Sequence, residues 1–130
     1  MARFILLVTL VAGLAVAPLA LSADQRRVAS HCSQSGDVCY GIFDNQGAIR
    51  FRLTTAAKYF ARYRICVLPL GQMTTCKRFR VRKIGANWGS RVSWQKNFPM
   101  AGPRRYRVTW SQHGHRLGPS LSFTLPAPTS

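Results

Sequence analysis

The sequence predicts an all-β protein, an antiparallel β-sandwich of about seven strands held together by disulfides. Three observations predict this class: apolar and polar residues alternate with period two, Gly, Pro, Asn and Ser separate the alternating runs, and four cysteines lie in a chain of 130 residues. No run sustains the 3.6-residue periodicity of an amphipathic helix. The predicted strands lie within 38–43, 48–54, 58–68, 76–83, 89–95, 105–110 and 120–125.

The first 23 residues have the pattern of a secretory signal peptide. One arginine precedes a long apolar run, and small residues end it at Leu21-Ser22-Ala23, so we expect cleavage near Ala23. The alternative is a membrane anchor, because the apolar run is long enough to span a bilayer, but Pro18 and the small residues favour cleavage. We therefore expect a secreted protein with an N-terminal arm at 24–37, a sandwich at 38–125 and a short tail at 126–130.

The four cysteines all follow the predicted signal peptide: Cys32, Cys39, Cys66 and Cys76. An even number of cysteines in a small secreted chain indicates disulfides, and four cysteines allow three pairings. We predict the most local pairing, Cys32 with Cys39 and Cys66 with Cys76. Zinc binding is the competing use, but the C-x-x-C spacing and a suitably spaced histidine pair are both missing from the sequence. We expect no metal and no cofactor.

The charge is the strongest feature of the composition. The chain has 19 Lys and Arg against three Asp and Glu, and without Arg3 the mature part keeps 18 basic and three acidic side chains, a net charge of +15. From Asn45 to Ser130 the sequence contains no carboxylate side chain. Folding cannot neutralise this charge internally, so an anionic partner or counterions would relieve the self-repulsion.

Residues 62–83 predict a strand pair that repels itself. Pairing the two strands through Cys66 and Cys76 places the turn at Gly71 and fixes the register. The facing pairs are then Arg62 with Arg80, Tyr63 with Phe79, and Arg64 with Arg78. Alternation puts the disulfide on the arginine face and the aromatic pair on the core face. Facing like charges destabilise a sheet by up to about 1 kcal/mol per pair, whereas a disulfide in a short loop contributes about 2–3 kcal/mol, so we expect the disulfide to hold this pair together.

The segment GPRRYRV resembles the tyrosine corner that opens strand F of immunoglobulin-like and fibronectin type III-like sandwiches. Tyr106 would be the corner tyrosine, and Val108 stands where an antibody domain has its second cysteine. The inter-sheet disulfide of antibody domains is not possible with these cysteines. The ending NFPMAGPRRYRVTWSQHGHRLGPSLSFTL is also similar to the final strands of small secreted immunoglobulin-like proteins of Gram-positive bacteria, whose role is generally unassigned. The resemblance implies a fold and a setting, and no activity.

The same resemblance implies that the Tyr106 strand lies beside strand 58–68, so that its arginines join those of the hairpin on one outer face. The expected polyanion-binding residues are Arg62, Arg64, Arg78, Arg80, Arg82, Arg105 and Arg107. Guanidinium groups suit bidentate recognition of phosphate, sulfate or carboxylate. The alternative is a merely solvated face that discourages edge-to-edge aggregation. Such a face would ordinarily mix charges of both signs, and the absence of acidic residues therefore favours binding.

We predict a secreted, monomeric, non-enzymatic protein that binds a polyanion: a cell-envelope polymer such as teichoic acid, an anionic membrane, or extracellular nucleic acid. One alternative is a small secreted ribonuclease or toxin that uses His113 and His115, although SQHGHRLG is most simply a turn with exposed histidines. Another is an interaction domain for an acidic protein. Inward parity places Trp94 and Trp110 in the core, while Trp88 lies between strands and allows either a structural or a binding role.

Overall fold

Ten strands form two antiparallel sheets in the residues that the computed structural model describes, 25–98 and 104–125. The elements are β1 (Arg26–Cys32), β2 (Val38–Asn45), β3 (Ala48–Thr55), β4 (Arg62–Pro69), β5 (Thr75–Arg80), β6 (Arg82–Ile84), β7 (Asn87–Ser93), the helical turn α1 (Trp94–Asn97), β8 (Arg105–Gln112), β9 (His115–Arg116) and β10 (Leu121–Thr124). The predicted signal peptide at 1–23 and the tail at 126–130 lie outside the described residues.

The first sheet has the order β1-β2-β3-β7-β6, and the second has the order β10-β8-β4-β5, with β9 paired to β8. The two sheets share one core, because alternate residues of each face the other sheet. In β4, Tyr63, Ile65 and Val67 are buried while the arginines between and before them are exposed. The Phe51 ring of the first sheet lies 5.8 Å from that of Trp110 in the second. The predicted all-β sandwich is confirmed. No helix within the described residues is long and apolar enough to cross a membrane.

The predicted core tryptophans are both buried, Trp94 at 3% exposure and Trp110 at 0%. Trp94 belongs to α1 and not to the predicted strand 89–95, because β7 ends at Ser93. The Phe98 N–H donates to the Trp94 carbonyl at 2.8 Å, so the two side chains lie on one side of the turn and stack at 5.9 Å between ring centroids. A single turn of helix thus supplies two aromatic side chains to the core.

The N-terminal arm, in which the sequence predicted no strand, contains the edge strand β1. β1 pairs with β2 from Arg26 to Cys32, with an irregularity between Arg27 and Ala29. An edge strand needs one covered face and one set of backbone partners, so it forms without the regular alternation that identifies central strands. The Arg26 guanidinium also bonds the Asp44 carboxylate at 3.0 Å.

The predicted strand 76–83 is two strands in different sheets. β5 ends at Arg80 and pairs with β4, whereas β6 begins at Arg82 and pairs with β7. Val81 lies at the switch, 6% exposed, and its N–H donates to the Ala61 carbonyl at 2.9 Å. Arg82 therefore does not lie on the sheet that carries Arg78 and Arg80. The alternation of the sequence continues through the switch, which is why the pattern predicted one strand.

The strand predicted at 58–68 begins later in the structure. Regular pairing in β4 begins at Arg62, and Tyr59, which the alternation placed on the apolar side, is 55% exposed in the preceding loop.

Candidate polyanion-binding surface

The β4–β5 hairpin has the predicted register. The structure contains both predicted disulfides, Cys32–Cys39 and Cys66–Cys76. Cys66 faces Cys76, and the facing pairs continue as Arg64 with Arg78, Tyr63 with Phe79, and Arg62 with Arg80. Gly71 has a φ of 77°, a left-handed conformation that glycine adopts without steric cost, in the turn between the strands. The predicted register is thus confirmed.

The facing arginines are close because of where the disulfide lies in the ladder. The Cα atoms of Cys66 and Cys76 are 4.0 Å apart, the spacing of a non-hydrogen-bonded antiparallel pair. Such pairs recur at every second residue, so both arginine pairs occupy the same narrow type of position. Their side chains leave the strands side by side on the outer face, where all four arginines are exposed. This arrangement concentrates positive charge and opposes the pairing of β4 with β5.

No carboxylate offsets this charge within the described residues. The two acidic side chains described there both belong to the first sheet: Asp37 lies in the turn between β1 and β2, and Asp44 lies in β2. The bond from Arg26, helped by the Gly47 N–H, holds the pKa of Asp44 below its usual value. Asp44 is therefore ionised and already bonded to Arg26.

A first groove lies beside the facing arginines and has a volume of about 250 Å³. β4 and β5 form one wall, and the end of β8 with its turn forms the other. The β8–β9 turn has two residues, His113 and Gly114, both with positive φ, which matches a tight primed hairpin turn. Polar groups of β8 thereby face the guanidinium groups of β4. The lining residues are Arg62, Tyr63, Arg64, Arg78, Ser111, Gln112, His113 and Gly114.

A second groove, of about 540 Å³, lies where the edge strands β5 and β6 of the two sheets meet. It shares Arg78 with the first groove, so the two form a continuous basic surface around β5. Arg82 belongs to the other sheet yet lines this groove, because the chain passes directly from β5 to β6. The lining residues are Arg78, Phe79, Arg80, Arg82, Lys83, Ile84, Gly89, Ser90 and Arg91.

We call the seven basic side chains of the two grooves the cationic band: Arg62, Arg64, Arg78, Arg80, Arg82, Lys83 and Arg91. The sequence identified five of them. It missed Lys83 and Arg91, which join the band only through the sheet switch at Val81, and it missed the groove wall formed by Ser111 and Gln112. The pairing of β8 with β4, which brings these two polar residues to the arginines, was the one available signal.

The remaining predicted arginines, Arg105 and Arg107, lie on the same outer face but at its other end. Arg107 faces Leu68, whereas Ser111, four residues further along β8, faces Arg64. The separation along the strand is about 13 Å at ~3.3 Å per residue. Cys66, Cys76 and Thr109 occupy the row between them. The predicted single face of seven arginines is therefore a band and a separate pair.

The other candidate residues are a core tyrosine, two histidines and a tryptophan. Tyr106 is fully buried in β8, beside β4 as predicted, and stacks on Phe123 at 5.2 Å between ring centroids. His113 and His115 are exposed, and only His113 of the two lines the first groove. Trp88 is half-buried, with the Lys58 and Lys83 ammonium groups 5.3 and 5.9 Å from its ring centroid. These contacts already place two cations on the indole.

Comparison of the chain with known proteins finds no relative. No protein-family model, no curated protein and no solved structure matches it.

Proposed function

We propose that this is a secreted, non-enzymatic protein that binds a linear, phosphate-bearing polyanion along the cationic band. One observation carries the proposal: two basic grooves share Arg78 and wrap the β5 edge, with no acidic side chain in the lining of either. A small organic ligand usually occupies an enclosed, mostly apolar pocket, whereas these grooves are lined largely by cations. A chain of phosphates could follow the band from one groove to the other.

The two disulfides support secretion, because such bonds persist in oxidising compartments outside the cytoplasm. The immunoglobulin-like assignment also remains part of the proposal. A buried Tyr106 at the second position of β8, beside β4, is the arrangement that strand F of such a sandwich would have. Cell-envelope phosphate polymers and extracellular nucleic acids are both linear and both offer the required chemistry.

The proposal predicts steeply salt-dependent binding, with the band contributing more than net charge alone. The probe is inorganic polyphosphate, and the test variant is Arg80→Thr with Arg82→Thr, one arginine from each sheet. We expect about tenfold weaker binding at low salt and a slope of log Kd against log salt that is lower by roughly 1.5, because two counterion-releasing contacts are lost.

The matched control is Arg27→Thr with Arg50→Thr. Both residues are exposed on strands of the first sheet and lie outside the two grooves. They do not face each other, because Phe43 of β2 lies between them and pairs with Arg27 on one side and with Arg50 on the other. We expect less than about a threefold effect, from the change in net charge alone. Equal losses for the two double variants would contradict a defined binding band.

The ribonuclease alternative predicts a different result. We expect His113→Asn with His115→Ala to change polyphosphate affinity by less than about twofold, because binding depends on the arginines. Asn is chosen at position 113 because that residue has a φ of 48°, which Asn tolerates. Labelled RNA incubated with the wild-type protein should keep its length. RNA shortening that this variant abolishes would establish an enzyme and overturn the non-enzymatic proposal.

A further inference from the structure

The β4–β5 turn exposes two large apolar side chains at one tip. Leu70 is 74% exposed and Met73 is 89% exposed, the two highest values among the large apolar residues of the described part of the chain. Single exposed apolar side chains are ordinary, but here two lie within four residues of one turn. The Gln72 N–H donates to the Pro69 carbonyl at 3.1 Å, and Gly71 takes the left-handed conformation, so the backbone of the turn is defined.

Arginines flank this tip on the outer face of the second sheet. The Leu70 N–H donates to the Arg105 carbonyl at 3.0 Å, and Arg107 faces Leu68 across the ladder. Both arginines are exposed, while Leu68 is half-buried. Leu68 and Arg107 thus place an apolar and a cationic side chain together beside the tip.

We propose that this tip, with Arg105 and Arg107, docks the protein on an anionic lipid surface. The phosphates of lipid headgroups suit guanidinium groups, and the acyl region just beneath them accepts exposed apolar side chains. A soluble polyanion would leave Leu70 and Met73 in water. A second copy of the chain in a two-fold contact would bring the same arginines against each other. The lipid surface alone among these three satisfies both kinds of side chain.

The tip and the cationic band use different residues at opposite ends of the outer face. Lipid docking at the tip and polyanion binding by the band can therefore each be abolished without loss of the other. A protein that binds at both ends would hold a phosphate polymer against a membrane surface.

The test compares binding to phosphatidylcholine vesicles with and without phosphatidylglycerol, measured by cosedimentation. We expect the wild-type protein to bind the mixed vesicles, and Leu70→Ser with Met73→Ser to bind them at least about tenfold more weakly, because the apolar contact is lost. The tip variant should bind polyphosphate within about twofold of wild type. Arg80→Thr with Arg82→Thr, the matched variant in the band, should show the reverse pattern. The thermal midpoint of the tip variant should stay within a few degrees of wild type, because both side chains are exposed.

Equal vesicle binding by the wild-type protein and the tip variant would overturn the proposal. So would equal binding to neutral and mixed vesicles, since the arginines would then contribute nothing. If sedimentation without vesicles shows that the wild-type protein self-associates and the tip variant does not, the tip is a self-association surface and the proposal is also overturned.

Discussion

Replacing Cys66 and Cys76 with serine is expected to lower the free energy of unfolding by about 3 kcal/mol. The disulfide closes a loop with a sequence separation of 10 residues, and constraining such a loop in the unfolded chain stabilises a fold by about that amount. For a domain of this size the loss corresponds to roughly 15 °C in thermal midpoint. Calorimetry or circular dichroism at low ionic strength measures it directly.

The second disulfide provides the control for this experiment. Cys32–Cys39 closes a loop with a sequence separation of 7 residues, and no facing arginines flank it, since the next pair on the same face is Ser30 with Gly41. Its removal should cost about 2.5 kcal/mol at any salt concentration. The loss caused by removing Cys66–Cys76 should shrink at about 1 M salt, where a Debye length of about 3 Å screens exposed charges. If salt affects both variants equally, the disulfide does not oppose arginine repulsion.

The sequence predicted the β4–β5 register because two independent patterns agree on it. The cysteines fix which residues face each other, and any shift by one residue would bury arginines such as Arg64. The sheet switch at Val81 could not be predicted in this way. Inward parity is the same on both sides of the switch, and only the hydrogen-bonding partner changes, from β4 to β7. Alternation reports which face a side chain is on and carries no information about which strand lies beside it.

Because alternation does not identify the neighbouring strand, the sequence predicted only part of the site. The arginines of one hairpin were predictable as neighbours because a local turn and a disulfide join their strands. The full surface also needs Arg91 from β7 and Ser111 from β8, whose positions depend on the order of strands in each sheet. Conversely, Arg105 and Arg107 have the expected parity but lie at the turn end of β4, away from the band: Arg107 pairs with Leu68, and the Arg105 carbonyl accepts from the Leu70 N–H. Parity predicted the face correctly, and only the register of β8 on β4 determines the distance along it.

Replacing Arg64 and Arg78 with threonine is expected to raise stability and weaken polyanion binding at the same time. The two residues face each other at a narrow position of the ladder, so removing both charges relieves a repulsion of about 0.5–1 kcal/mol at low salt, or about 2–5 °C in thermal midpoint. Threonine keeps the β propensity of the strands. Both arginines line the first groove, and Arg78 also lines the second, so polyphosphate affinity should fall by at least about tenfold.

Opposite changes in stability and affinity are what distinguish a binding surface from a surface that is only solvated. The control is again Arg27→Thr with Arg50→Thr, which removes the same charge from exposed strand positions that do not face each other. Its thermal midpoint should change by less than that of the Arg64 and Arg78 variant, because no narrow pair is relieved, and its affinity by less than about threefold. If both double variants gain the same stability and lose the same affinity, only total charge matters, and the facing arginines have no special role. If instead the Arg64 and Arg78 variant alone gains stability and loses binding, the repulsion in the hairpin belongs to the anion site, and a bound chain of phosphates is what relieves it.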